Sequence, residues 1–197
     1  MYLWWAGPIA ARVRVLYVGT GKDCIMDYEV YLDKYIDLLN RIHRTFVAEA
    51  VEVIKRATHV YVCGNGGSSA IASHFVNDLV KIAGLPATSL TDNVPLLTAY
   101  ANDIAYGEVF AQWVPAMRTT DVLVCISGSG MSANVLRAAY KAKQTGVTTI
   151  ALIGQDGGQL YDLVSIPICI IGAGMTLAES AFSFICHMIA EGVIDEE

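Results

Sequence analysis

The chain is predicted to form an α/β fold, a three-layer αβα sandwich in which helices cover both faces of a doubly wound, mainly parallel five-stranded sheet. Short runs rich in valine and isoleucine alternate with longer segments whose apolar residues recur at helical spacing. The apolar runs are continuous, which is typical of strands covered on both faces. Strands that alternate with helices are joined by right-handed crossovers and therefore lie parallel.

The predicted elements follow in a regular order. An amphipathic region of one or two helices over residues 26–56 forms an amino-terminal helical extension. The strands are predicted at 59–63, 87–90, 121–126, 147–153 and 166–171. The helices that follow are predicted at 69–83, in the connection that contains Asn102 and Asp103, at 107–117, at 132–144, after the turn 155–158, and at 176–193. Residues 1–25 are predicted to be an appendage, or a misplaced start, before a single domain of residues 26–197.

Composition excludes several classes of protein. The 197 residues are 54% apolar and 16% charged, and the net charge is −6; the mean hydropathy is +0.46. The apolar surplus favours a subunit interface, and the lack of a basic run disfavours direct nucleic-acid binding. No apolar stretch reaches the roughly 18 uncharged residues of a membrane span. The five cysteines form no C-x-x-C pair, which is typical of buried thiols and predicts a cytoplasmic location.

Two serine- and glycine-rich loops each follow an apolar run and each open into a helical pattern. Loop 1 is Gly64–Ser69 and loop 2 is Ser127–Ser132. A strand that feeds a helix amino terminus presents unpaired N–H groups, and serine hydroxyls add donors. Neither loop contains a lysine or arginine, which favours a compact phosphate on a small molecule. Ligands bind at the carboxyl ends of parallel strands where the strand order reverses, and both loops are predicted to lie there.

The two loops have three other interpretations. A dinucleotide site is disfavoured because Gly64-x-Gly66-x-x-Ser69 lacks the third glycine of that fingerprint. A nucleoside triphosphate loop is excluded because no G-K-[ST] occurs. Simple tight turns remain an alternative, although two matched serine loops are uncommon. No nucleotide cofactor is therefore expected.

Several segments together resemble the sugar isomerase (SIS) domain family, and within it the phosphoheptose isomerases. They are Cys63–Ser69, His74-Phe75, Asn102-Asp103, Ile126–Asn134 and Gly154–Gly158. The resemblance covers residues 28–197 and implies a flavodoxin-like strand order and isomerisation of sedoheptulose 7-phosphate to glycero-manno-heptose 7-phosphate. The substrate-binding residues that it implies are Asn65, Gly66, Gly67, Ser68, Asn102, Asp103, Ser127, Gly128, Ser129, Ser132 and Glu179.

Aldose–ketose isomerisation needs a base that moves a proton between adjacent carbons and a group that stabilises the enediol oxygen. His74 and Asp78 stand four residues apart on one helix face, and the last helix supplies Glu179 and His187. The resemblance implies that Asp78 and His187 are catalytic. It also implies that these four residues hold zinc or another divalent ion. Each also has a structural alternative: a hydrogen-bonded or packed histidine, or a favourable charge in the first turn of a helix for Glu179.

The chain departs from the family at two of these positions. Asp78 replaces a glutamate that is one methylene longer, and Glu179 replaces a glutamine. Eight residues of helix rise about 12 Å, so Glu179 and His187 of one chain are not expected to reach one ion. Two protomers are therefore expected to share a site, in agreement with the tetramer that the resemblance implies.

A second class of function stays open from the sequence. Some relatives with this domain are non-catalytic phosphosugar sensors, or scaffolds that bind a replication initiator. Retention of His74, of an acid at Asp78 and of His187 favours the enzyme.

Overall fold

Five parallel strands form one sheet within residues 27–194, the residues described by the structure, a computed structural model. The strands are β1 (Val60–Gly64), β2 (Ala87–Ser89), β3 (Val122–Ser127), β4 (Thr148–Ile153) and β5 (Ile166–Cys169). Their order is β2-β1-β3-β4-β5, and every neighbouring pair is parallel. The predicted doubly wound sheet and its flavodoxin-like order are thus confirmed.

Helices cover both faces of this sheet. The α-helices of residues 27–194 are α1 (Tyr28–Asn40), α2 (Arg44–Lys55), α3 (Gly67–Lys81), α4 (Val94–Asp103), α5 (Ala133–Thr145), α6 (Leu160–Leu163) and α7 (Met175–Val193). Helices α2, α3 and α7 pack together on one face, and α5 and α6 pack on the other. Alternate strand residues point to opposite faces, so Leu123 and Cys125 join Val135 and Ala139 of α5 in one apolar cluster.

The strand order reverses between β1 and β3. The chain runs from β1 to β2 on one side, and then returns to β3 and continues outward through β4 to β5. Gly64 at the end of β1 pairs with Ile126 near the end of β3. The crevice at a topological switch point therefore opens beside these two residues, where loop 1 and loop 2 begin.

The prediction of one helix over residues 107–117 is wrong. This segment contains instead two 3-10 helices, Tyr106–Glu108 and Val114–Ala116, joined by turns. Pro115 lacks an N–H group, and in an α-helix its ring would clash with the carbonyl of Ala111. The apolar pattern correctly indicated burial, because the segment is largely buried, but it did not specify an α-helix.

Contacts divide the chain into two compact units within α1. The described part of the first unit is residues 27–37, which exposes Tyr28, Val30, Leu32 and Ile36. The second unit begins at Leu38 and contains the sheet. The appendage predicted at residues 1–25 lies outside the described residues, and the single domain of residues 26–197 stays a prediction. Between residues 27 and 194, no helix has the length and apolar character needed to cross a membrane.

Candidate active site

Loop 1 turns sharply from β1 into α3. Gly66 has a φ of +56°, a left-handed conformation that glycine adopts without strain, and α3 begins at the next residue. Ser68 lies in the first turn of α3 and is buried. The Ser69 hydroxyl donates a hydrogen bond of 2.9 Å to Thr91 Oγ1. Loop 1 therefore offers its backbone to the crevice, while one of its two hydroxyls is engaged with the segment after β2.

Loop 2 is held by hydrogen bonds of its own. Ser127 Oγ accepts from Gly130 N at 3.1 Å and donates to Ser132 Oγ at 3.4 Å, and Ser129 Oγ accepts from Met131 N at 3.2 Å. Ser127 is buried, whereas Ser129 and Ser132 are half-buried. The loop thus places three hydroxyls close together, two of them accessible.

Glycines let neighbouring groups approach loop 2 closely. Gly130 has a φ of +63°, and a Cβ atom there would overlap the carbonyl oxygen of Gly157. A Cβ atom at Gly128 would overlap the sulfur of Met175, the first residue of α7. Loop 2 is therefore packed against the turn after β4 and the start of α7.

The Glu179 carboxylate lies against loop 1. A Cβ atom at Gly67 would overlap this carboxylate, so the acidic group rests on the Cα of the first residue of α3. Negative charge is favourable at a helix amino terminus. Glu179 thus lies at the amino end of α3 as well as near the amino end of its own helix, α7. The sequence alternative, a favourable charge in the first turn of a helix, considered only α7.

Three titratable side chains from α3 and α7 converge on one point, here called the His–Asp–His cluster (His74, Asp78 and His187). His74 Nε2 lies 2.9 Å from His187 Nε2. Asp78 Oδ2 lies 3.5 Å from His74 Nε2 and 3.4 Å from His187 Nε2. The side chains of His74 and His187 are 55% and 51% exposed, whereas that of Asp78 is 6% exposed. The cluster therefore consists of one buried carboxylate and two imidazoles that solvent can reach.

Asp78 Oδ2 is buried and has no hydrogen-bond partner among the described residues. The other carboxylate oxygen, Oδ1, accepts from Asn77 Nδ2 at 3.2 Å. A buried carboxylate oxygen without a donor is costly, and a cation beside it removes that cost. Tetrahedral zinc, with bonds of about 2.0–2.1 Å, separates its ligand atoms by roughly 3.3 Å. The donor types and the spacing of the cluster both fit such an ion.

Of the four residues expected to hold an ion, the structure brings together three within a single chain. His74, Asp78 and His187 form the cluster, whereas Glu179 lies at Gly67. These three ligands therefore need no second protomer. Glu179 is eight residues before His187 on α7, a rise of about 12 Å, and it is not part of the cluster.

The remaining predicted substrate-binding residues lie at the ends of their elements. Asn102 and Asp103 are exposed at the end of α4, and Asn102 Nδ2 donates to Asp103 Oδ1 at 2.9 Å. Asn65 is half-buried and bonds to Asn134 and Tyr106. Neither Asn134 nor Tyr106 was among the residues predicted from the sequence. The sequence signal for Asn134 was its place at the end of the Ile126–Asn134 segment, which resembles the family.

The strand order and the paired serine loops at its switch point define the class, an α/β domain whose ligand site lies at the carboxyl ends of its strands. A sequence profile of the SIS domain matches residues 31–154, more than half of the chain. The chain therefore belongs to the SIS domain family.

Several of its relatives are phosphoheptose isomerases. The chain is 39% identical over 151 residues to a phosphoheptose isomerase from Helicobacter pylori strain Shi470, an alignment that covers 74% of this chain and 79% of the relative. The structure of phosphoheptose isomerase GmhA from Neisseria gonorrhoeae superposes with a TM-score of 0.78 at 28% identity, covering 84% of this chain and 97% of the other. A phosphoheptose isomerase from Francisella tularensis gives a TM-score of 0.79 at 27% identity, covering 86% and 95%.

Proposed function

We propose that the protein is an aldose–ketose isomerase that converts sedoheptulose 7-phosphate to glycero-manno-heptose 7-phosphate through an enediol. The main observation behind this proposal is the His–Asp–His cluster, which is formed by α7 and by the helix that begins at loop 1, at a sheet edge that carries a second loop suited to phosphate. Acid–base groups next to a phosphate site are what phosphosugar isomerisation requires. The similarity to phosphoheptose isomerases supports the choice of substrate.

The phosphate is proposed to bind mainly at loop 2. Two of its hydroxyls, those of Ser129 and Ser132, are accessible to a ligand. Backbone N–H groups at the start of α5 favour an anion. The residues proposed to contact phosphate are Ser68, Ser127, Ser129 and Ser132, and those proposed to line the sugar are Asn65, Gly66, Gly67, Asn102, Asp103, Gly128 and Glu179.

Asp78 and His187 are proposed to transfer the protons. Asp78 Oδ2 is buried and has no hydrogen-bond partner among the described residues, and it is proposed to accept the proton from the carbon next to the carbonyl when substrate binding exposes it. His187 Nε2 lies 3.4 Å from that oxygen, where it can donate a proton to the oxygen of the developing enediol. His74 Nε2 lies 2.9 Å from His187 Nε2 and holds the second imidazole in place.

The same cluster is proposed to hold one divalent ion, with zinc the best fit. His74 Nε2, His187 Nε2 and Asp78 Oδ2 would be the ligands, so the ion-bound site and direct proton transfer by these atoms are alternative states of the cluster; a fourth position would stay open, as in catalytic zinc sites. A bound zinc ion supplies a Lewis acid that polarises a carbonyl oxygen. Elemental analysis of the purified protein, with His74→Ala as the depleted control, measures whether the ion is present.

We also propose that the protein is a homotetramer with active sites at subunit interfaces. Phe184 and Met188 lie beside His187 on α7 and are 43% and 36% exposed. A second copy covering α7 would bury these side chains and exclude water from the cluster. Sedimentation measures the assembly state, and a dilute monomer with full activity would contradict the shared site.

Solvent-proton exchange tests the proposed reaction. Incubation with sedoheptulose 7-phosphate in heavy water should place deuterium on the carbon next to the carbonyl, detected by NMR, with aldose product appearing in parallel. Pentose 5-phosphates and hexose 6-phosphates serve as comparison substrates. Exchange with only one of those sugars would show that the protein is an isomerase with a different substrate. No exchange with any of them would indicate a phosphosugar-binding or scaffold protein.

A further inference from the structure

Two asparagine side chains join loop 1 to the start of α5. Asn65 Nδ2 donates to Asn134 Oδ1, and Asn134 Nδ2 donates to Asn65 Oδ1, each at 2.8 Å. The two residues are 69 positions apart in sequence, but they follow the directly paired strands β1 and β3. Asn134 is 2% exposed, and hydrogen bonds are stronger in such a low-dielectric site.

Two further donors determine which way both amides point. Val135 N donates to Asn134 Oδ1 at 3.0 Å, and the Tyr106 hydroxyl donates to Asn65 Oδ1 at 2.9 Å. Because a backbone N–H can only donate, the amide oxygen of Asn134 must face it and the amide nitrogen must face Asn65. Each amide oxygen then accepts two hydrogen bonds, which uses both of its lone pairs.

The network connects three segments that contain proposed substrate contacts. Asn65 belongs to loop 1, and Asn134 lies two residues after Ser132, the last residue of loop 2. Tyr106 lies four residues after Asn102 and three after Asp103. An ion pair between Arg137 and Glu108 makes a second link between α5 and the segment of Tyr106.

We propose that Asn134 is a positioning residue that sets the separation of loops 1 and 2 through Asn65 and, beyond it, the segment of Tyr106. The inference rests on the proposed function, because it takes loop 2 as the phosphate end and loop 1 as the reacting end of one site. Asn134 is buried and both of its amide groups are occupied, so its contribution passes through Asn65 and not through the substrate. Loss of the pair leaves a buried amide unpaired and lets the loops separate.

Inorganic phosphate is the probe, since it reports on the site without requiring turnover. We expect Asn134→Ala to raise its dissociation constant by about tenfold and Tyr106→Phe by about threefold, because the phosphate is proposed to contact Ser68 of loop 1 as well as the hydroxyls of loop 2. Thr149→Val is the matched control: Thr149 is 1% exposed and hydrogen-bonded to Ser165, at the opposite end of β4 from the loops. This variant should lose thermal stability but bind phosphate as the wild type does.

Steady-state kinetics with sedoheptulose 7-phosphate give the second measurement. The KM should rise in Asn134→Ala and Tyr106→Phe at a temperature where both are fully folded, and stay unchanged in Thr149→Val. Unchanged phosphate affinity in Asn134→Ala and Tyr106→Phe would overturn the inference, as would a wild-type protein that does not bind phosphate. If Asn134→Ala fails to fold, the exposed Tyr106→Phe decides. A wild-type protein that binds phosphate but does not isomerise the sugar would refute only the proposed function.

Discussion

Loop 1 and loop 2 have similar compositions and equivalent places in the fold, but they lead to different chemistry. Loop 1 opens α3, which carries His74 and Asp78 of the His–Asp–His cluster. Loop 2 opens α5, whose first turn directs Asn134 inward to a hydrogen-bond pair. The helix after loop 1 therefore carries titratable groups, whereas the helix after loop 2 begins with a neutral hydrogen-bond pair that it shares with Asn65 of loop 1.

The electrostatic surroundings of the two loops differ as well. The Glu179 carboxylate rests on Gly67 of loop 1, whereas the Met175 thioether and the Gly157 carbonyl cover the glycines of loop 2. A second anion at loop 1 would be repelled by Glu179. The comparison thus assigns the phosphate to loop 2 and the reacting carbons to loop 1, and each prediction below tests that assignment.

Asp78→Asn should have the largest effect on activity. An amide of the same shape cannot accept the proton, so turnover should fall by at least about 100-fold. The affinity for inorganic phosphate should stay unchanged, because phosphate binds at loop 2. Initial rates and a phosphate titration measure the two quantities. Asp78→Glu, which keeps a carboxylate, is the control and should retain more activity than Asp78→Asn. Full activity of Asp78→Asn would show that another group is the base.

Alanine substitutions at equivalent glycines of the two loops should lower the free energy of unfolding by different amounts. Gly130→Ala places a Cβ atom on the Gly157 carbonyl at a φ of +63°, and should lower the free energy of unfolding by roughly 1–3 kcal/mol. Gly67→Ala should cost less, because only the flexible end of Glu179 must move. Urea denaturation measures both free energies. Adding Glu179→Ala should remove the cost of Gly67→Ala but not that of Gly130→Ala. Equal costs for the two glycines would contradict the difference in packing.

Serine-to-alanine substitutions compare phosphate binding directly. The Ser129 hydroxyl is accessible in loop 2, whereas the Ser69 hydroxyl of loop 1 is already donated to Thr91. We expect Ser129→Ala to raise the dissociation constant for inorganic phosphate by about tenfold, the loss of one hydrogen bond to a charged group. Ser69→Ala should change it less than about twofold. A larger effect of Ser69→Ala would exchange the roles of the loops.

Glu179→Gln should have a smaller effect, of opposite sign. The substitution keeps the shape of the side chain and removes its charge at the start of α3, so phosphate should bind about threefold more tightly. The change should shrink as salt is added, because the effect acts through charge. Glu191→Gln, at an exposed position near the end of α7, is the matched control and should have no effect. Weaker phosphate binding in Glu179→Gln would indicate that Glu179 supports the phosphate indirectly.

The sequence predicted the sheet and the pairing of the two loops for a simple physical reason. Continuous apolar runs identify buried parallel strands, and the ends of parallel strands lie at one edge of the sheet. The four-residue spacing of His74 and Asp78 likewise placed both side chains on one helix face. His187 was added by resemblance to a family, since only the packing of α7 on α3 brings it to them.

Other features depend on contacts that no local pattern specifies. Asn134 and Asn65 meet because β1 pairs with β3, and a short polar side chain gives no periodic signal of its partner. The position of Glu179 on Gly67 follows from how α7 packs across the start of α3. The helix predicted at residues 107–117 failed because burial produces an apolar pattern in 3-10 turns as well as in helices.

The two loops also share a feature, a buried thiol in the strand before each of them. Cys63 of β1 pairs in register with Cys125 of β3, and its Sγ donates to Cys125 Sγ at 3.9 Å. This hydrogen bond, followed by burial, raises the pKa of the Cys63 thiol well above its ordinary value. The folded chain then keeps its proton while the unfolded chain ionises, so stability is complete below the ordinary thiol pKa and declines above it. Urea denaturation between pH 7 and pH 10 should therefore show that the free energy of unfolding falls more steeply with rising pH in the wild type than in Cys63→Ala.

The difference between the two proteins should be absent near neutral pH. Phosphate binding should be the same in both proteins there, because the thiols lie in the strands that precede the loops. Parallel stability curves for the two proteins would show that the Cys63 proton does not contribute.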